Sequence, residues 1–166
     1  KLGTPTSLPA PGVRVRFDVT VENTGIEPVT LVSLTDSIDG GAGNDWVLYS
    51  SDPFGVTINL GTGTATDGFN GPGGLLALGG TDTLVSIENA EASDYNDSIT
   101  GSSAANELRG RDGNDILAGG AGNDAIDGGS GADVLTGGAG NDALRGGPDN
   151  DTYRYSRGFG SDTITD

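Results

Sequence analysis

The chain contains no cysteine and no histidine. Without cysteine there is no disulfide to staple a small extracellular fold, so some other cross-link must serve. Without histidine the usual zinc ligand and the usual general base are both missing. Basic side chains are scarce as well: 8 Lys and Arg stand against 24 Asp and Glu, a formal charge of −16. That balance argues against nucleic acid or an anionic membrane as partner, since both call for a basic face, and it suits a cation. Hydrophobic residues make up only 33% of 166 positions, so a conventional core is hard to build. Low hydrophobicity with high net charge is also what keeps a chain disordered on its own. No apolar run reaches the length of a transmembrane helix, so no membrane insertion is expected. No signal peptide is visible, and Lys1 in place of Met is expected of a start that was processed or cut. There is one lysine, no Gly-x-Ser-x-Gly elbow and no carboxylate pair outside the repeats described next, so the chain reads as non-enzymatic.

Glycine is what the chain has in excess, with 31 residues. It is costly to order, so its placement calls for a positional reason. Residues 113–147 read "GNDILAGGAGNDAIDGGSGADVLTGGAGNDALRGG". Asp115, Asp124, Asp133, Asp142 and Asp151 fall nine apart, and the same step backward meets Asn106 and Asp97. Two residues after each comes Ile99, Leu108, Leu117, Ile126, Leu135, Leu144 or Tyr153. Two positions held in phase over seven periods set this apart from a Gly/Asp-rich linker or a metal-free turn array. Arg111 and Asp149 each stand where the complete copies from Gly119 to Arg145 have glycine, and "GSSAANELR" keeps the apolar position and an Asn. A separate copy, "GGAGNDWVL", contains Asp45, and "GFGSDTITD" near the end contains Asp162.

In each unit the first six residues are expected to make a tight glycine-assisted turn. The last three would make a short strand with one inward apolar side chain. Such a strand cannot stand alone, so the units stack into a solenoid. Two units complete a coil, and residues eighteen apart stack. One side would carry Asp97, Asp115, Asp133 and Asp151, the other Asn106, Asp124 and Asp142. Coils lie about 4.8 Å apart, where neighbouring carboxylates repel by roughly 1–3 kcal/mol per pair. A divalent ion reverses that sign. Carboxylate and carbonyl oxygens suit Ca²⁺, whereas Mg²⁺ dehydrates reluctantly and demands octahedral geometry.

These nonapeptides resemble the RTX (repeats-in-toxin) calcium-binding repeat, G-G-x-G-x-D-x-U-x. The resemblance covers about residues 39–166 and implies an all-β fold: a parallel β-roll, or β-solenoid, with several calcium ions in its turns. By position it implies bridging carboxylates from Asp115, Asp124, Asp133, Asp142 and Asp151, with Asp97 as an end member. It implies carbonyl ligands near Gly113, Gly122, Gly131 and Gly140. Asn106 holds the aspartate place in its unit, and Asp45 and Asp162 are further candidates. The resemblance also implies export by a type I system and folding delayed until the chain meets extracellular calcium.

The less regular parts divide the chain into an N-terminal segment, 1–38, and the repeat domain, 39–166. Residues 55–60, "GVTINL", alternate as a strand does. Residues 61–82 are glycine-rich enough to be read as turns and loop, with the apolar "GGLLALGG" as a flap over the coil's end or an exposed tip. Asp45 and Asp67 are candidates for one further ion. Val13, Val15, Phe17, Val19 and Val21 alternate with polar residues, and a second strand is expected over residues 29–34. This hairpin resembles the opening of bacterial immunoglobulin-like surface repeats. It is expected to cap the coil, to pair with a neighbouring molecule, or to be a truncated remnant.

The function expected is a calcium-binding structural module, extracellular or at the cell surface. Two alternatives stay open: a self-associating filament or surface-layer subunit joined through its N-terminal strands, and the non-catalytic C-terminal module of a type I-secreted enzyme or adhesin. An ice-binding face is disfavoured, because the ninth position runs Thr100, Arg109, Ala118, Asp127, Thr136, Arg145 rather than holding one residue type. Weak glycan binding stays open.

Overall fold

A computed structural model describes residues 37–67, 80–155 and 160–166. The expected hairpin of residues 13–34 and the apolar stretch 75–78 lie outside the described residues. Among the described residues there are fourteen strands and no helix. The first five are β1 (Ser37–Asp39), β2 (Trp46–Leu48), β3 (Val56–Asn59), β4 (Thr64–Asp67) and β5 (Thr81–Val85). β6 (Asn89–Glu91), β7 (Ser98–Thr100), β8 (Glu107–Asp112) and β9 (Ile116–Ala121) follow. The last are β10 (Ala125–Ser130), β11 (Val134–Ala139), β12 (Ala143–Arg145), β13 (Thr152–Arg154) and β14 (Thr163–Thr165).

From β5 onward successive strands alternate between two sheets. One is ordered β1-β5-β4-β3-β7-β9-β11-β13 and the other β14-β12-β10-β8-β6-β2. The pairs from β6 to β14 are parallel, so the chain winds as a solenoid. Register is eighteen residues per coil: Ile99 lies beside Leu117, Leu117 beside Leu135, and Leu135 beside Tyr153. On the opposite sheet Leu108, Ile126 and Leu144 stack in the same way. The last step is longer, with Leu144 beside Ile164. The separate copy joins the stack through β2, which pairs with β6.

Two details differ from the sequence reading. The strands β8 to β11 are six residues long, not three, because the glycine pair after the apolar position stays extended and continues the ladder, as in Gly120 beside Gly138. With a period of two, three positions per unit then face inward: aspartate, apolar residue and first glycine. The stretch 61–82 also contains strand residues at both ends. β4 pairs antiparallel with β3 and with β5, extending one sheet into a short meander. Its Thr-Ala-Thr and the Thr-Leu-Val of β5 suit a pleated surface, and pairing there outweighed the surrounding glycine. β1 then adds in parallel to β5.

The core is one apolar residue thick on each side. Ile58, Ile99, Leu117 and Leu135 line one sheet and Leu108, Ile126 and Leu144 the other, all buried. Each such burial stabilises by about 1.5–3 kcal/mol.

Candidate metal-binding turns

The period that turns the leucines inward also turns the aspartates inward, two residues earlier. Asp115, Asp124, Asp133 and Asp142 are only 1–2% exposed. Each sits just before its strand, and the two carboxylate oxygens meet different fates. Oδ1 accepts a main-chain N–H from the preceding coil. Asp97 N–H donates to Asp115 at 2.8 Å, Asp115 to Asp133 at 2.8 Å, and Asp133 to Asp151 at 2.9 Å. On the other side Asn106 donates to Asp124 at 2.9 Å, Asp124 to Asp142 at 2.9 Å, and Asp142 to Asp162 at 3.1 Å. The second oxygen, Oδ2, of Asp45, Asp115, Asp124, Asp133, Asp142 and Asp151 is buried with no hydrogen-bond partner in the chain.

Glycine five residues earlier makes room for that oxygen. A Cβ on Gly110, Gly119, Gly128, Gly137 or Gly146 would overlap Oδ2 of Asp115, Asp124, Asp133, Asp142 or Asp151, respectively. Within the turns, Gly113, Gly122, Gly131 and Gly140 have φ of 132°, 112°, 124° and 137°, which only glycine adopts freely. They also stack closely: the carbonyl oxygens of Gly113 and Gly122 lie where a Cβ on Gly131 and Gly140 would be. Arg111 and Asp149, two of the residues that replace glycine, are held at φ of 86° and 89°.

Burial without compensation shows in the acidities. Desolvation pushes the Asp115 carboxyl up to about 7, with Asp97, Asp133 and Asp112 nearby adding to the rise against the Asp97 N–H. It pushes Asp124 up to about 6, with Asp142 contributing. Asp133 and Asp97 are raised for the same leading reason. Buried carboxylates with an open oxygen call for a cation or a proton. Among the described residues no three Asp, Glu, His or Cys side chains converge on one point. A cation here would therefore draw on main-chain carbonyls of the glycine turns together with carboxylates. That donor set is all hard oxygen, which fits Ca²⁺.

The other candidates are placed differently. Asp97 has both oxygens engaged: Oδ1 accepts from Val56 N–H at 2.6 Å and Ser93 Oγ–H at 2.9 Å, and Oδ2 from Ser93 N–H at 2.9 Å. Asn106 accepts from Ser102 N–H at 2.7 Å and donates through Nδ2 to the Glu88 carbonyl at 2.6 Å. Asp45 and Asp67, expected to share an ion, belong to different sheets: Asp45 precedes β2, and Asp67 ends β4.

Two sets of residues escaped the sequence reading. Glu88 fills the aspartate place between Asp45 and Asn106, and its Oε2 accepts the Asp45 N–H at 3.0 Å. The nine-residue ruler reaches it one step before Asp97, with Ala90 at the apolar place. An asparagine ladder runs in the reverse sense to the aspartate ladder. Ala132 N–H donates to Asn114 Oδ1, Asn141 N–H to Asn123 and Ser161 N–H to Asn141, all at 2.8 Å. Its signal was the asparagine that precedes most of the repeat aspartates.

Among curated proteins no sequence matches the chain. A family profile does, in four copies over residues 35–52, 91–126, 119–153 and 127–164, and these intervals contain every aspartate with an unpartnered buried oxygen named above. By that match, and by the coil that its repeats build, the chain belongs to the family of the RTX calcium-binding nonapeptide repeat.

Proposed function

We propose that the chain is a calcium-binding structural module of a secreted or cell-surface protein, exported by a type I system, which acquires its coil on meeting extracellular calcium. The observation that carries this reading is the split use of each repeat carboxylate, with Oδ1 spent on the ladder and Oδ2 buried and open. Asp115, Asp124, Asp133, Asp142 and Asp151 are the proposed ligand carboxylates, with the turns at Gly113, Gly122, Gly131 and Gly140 supplying carbonyl oxygens. Asp45 has the same open oxygen in the separate copy. Asp162 continues the ladder at its end. Asp97 and Asn106 contribute through hydrogen bonds instead.

Calcium, when bound, would supply the positive charge that these desolvated carboxylates lack. Extracellular-type calcium sites have Kd near ~10⁻⁴–10⁻³ M. At ~10 mM calcium a site of ~10⁻⁴ M stabilises the fold by about 2.7 kcal/mol. A few such sites match the stability of an ordinary domain. Calcium titration followed by circular dichroism and sedimentation tests the reading. A rise in β-structure with compaction is expected, with magnesium far less effective. Spectra unchanged after exhaustive chelation would overturn it.

A further inference from the structure

Two turns of the coil carry serine at their second position. In residues 92–97 and 101–106 the second position is Ser93 or Ser102, where later units have Arg111 or the positive-φ glycines Gly120, Gly129, Gly138 and Gly147. Ser93 gives the Asp97 carboxylate its main-chain N–H at 2.9 Å and its Oγ at 2.9 and 3.0 Å from the two oxygens. The same hydroxyl accepts Tyr95 N–H at 3.2 Å. Ser102 repeats the pattern: its N–H and Oγ reach Asn106 Oδ1 at 2.7 and 3.2 Å, and its Oγ accepts Ala104 N–H at 3.1 Å. In the five later aspartate turns the matching Oδ2 has no partner. Serine thus does within these two turns what a cation would do elsewhere: it meets the inward oxygens with donors, and at Asp97 those hydrogen bonds are charge-assisted.

The surroundings of the two turns are also joined by contacts within the chain. Asp97 Oδ1 takes Val56 N–H, tying the turn to the β3–β4 meander. Arg111 reaches back to Asp94 at 2.7 Å and Glu91 at 2.8 Å. Ala90, Ala92, Ile99 and Leu108 are buried beneath them.

We propose that Ser93 and Ser102 close their turns in place of a cation. The β3–β8 end is then a metal-independent cap on which calcium-dependent coils build toward the C-terminus. This rests on the calcium reading above. Position two would then decide which turns take an ion: serine closes a turn, whereas glycine or arginine leaves it open.

Amide hydrogen exchange of the whole chain, in chelator and in calcium, tests the proposal. In chelator, strands β3, β7 and β8 should keep protection roughly 100-fold or more above that of β10 to β13, as expected when one cooperative unit opens and the other stays closed. In calcium both regions should be protected. Loss of protection throughout in chelator, with recovery throughout in calcium, overturns the cap and leaves the calcium reading standing. Equal protection with and without calcium overturns the calcium reading itself, and the cap with it. The Ser93→Ala, Ser102→Ala double variant should lose the β3–β8 protection in chelator and regain it in calcium. Unchanged protection in that variant overturns the role given to the serines.

Discussion

Asp133 Oδ1 accepts the main-chain N–H of Asp115, eighteen residues earlier, at 2.8 Å, while the other oxygen of Asp133 is buried without a partner. The first contact fixes coil register and the second leaves a charge uncompensated. One residue type thus serves stacking and leaves a buried oxygen open for the proposed cation. Asparagine can serve only the first, because it keeps Oδ1 and loses the charge.

Asp133→Asn therefore separates the two roles. It should fold in high calcium but need about tenfold more calcium at its midpoint, equivalent to ~1.4 kcal/mol. Asp97→Asn, where both oxygens are already hydrogen-bonded, should shift the midpoint far less. Calcium titrations of the two variants side by side decide the matter. Equal midpoints would contradict the assignment of Asp133.

Acid should partly substitute for calcium. The Asp115 and Asp124 carboxyls are pushed up to about 7 and about 6 when folded, from an ordinary 3.8. Between those values the metal-free folded state binds more protons than the unfolded one, so its stability falls as pH rises from about 4 to about 7. The slope is at most ~1.4 kcal/mol per pH unit for each group. Circular dichroism of the calcium-free chain should show β-structure gained as pH falls from 7 toward 4.5, with a smaller further response to calcium at the lower pH. A flat or opposite profile would contradict the burial of these carboxylates.

Asp149 is held at φ 89° on an exposed turn, where the four preceding units have Gly113, Gly122, Gly131 and Gly140. Left-handed backbone costs most non-glycine residues about 1–2 kcal/mol, less for Asp. Asp149→Gly should therefore stabilise the calcium-bound coil by ~0.5–1 kcal/mol, offset in part by a more flexible unfolded chain. Denaturant midpoints in calcium report it. Destabilisation would mean that the Asp149 side chain has a role of its own.

Gly128 has no positive φ, so its requirement is space alone. A Cβ there would meet Asp133 Oδ2 and the Gly146 carbonyl. Gly128→Ala should cost more than ~2 kcal/mol by overpacking and should also weaken calcium binding. Gly41→Ala faces open space and only an unfavourable φ of 83°, and should cost about 1 kcal/mol. Urea unfolding of both in saturating calcium gives the comparison. The reverse order would count against the close approach of glycine and carboxylate.

The nine-residue period determined a good deal unaided. Asp115 and Leu117, two residues apart, had to share a face, and repetition at nine forced a coil of eighteen because two turns close it. From this the stacking of Leu117 under Leu135, the two columns of aspartates and the all-β class could be read directly. What sequence could not reveal depends on contacts between distant segments. Glu88 beside Asp45 spans 43 residues, and only the excursion through β3, β4 and β5 brings them together. Strand pairing made β4 out of a glycine-rich stretch, because partners on both sides outweigh weak local preference. The difference between Asp97 and Asp115 is likewise tertiary. Both fit the ruler, yet Ser93 and Val56 occupy the oxygens of one, and the chain leaves an oxygen of the other open. Periodicity sets which residues face inward, but hydrogen-bond satisfaction is settled only when every neighbour is in place.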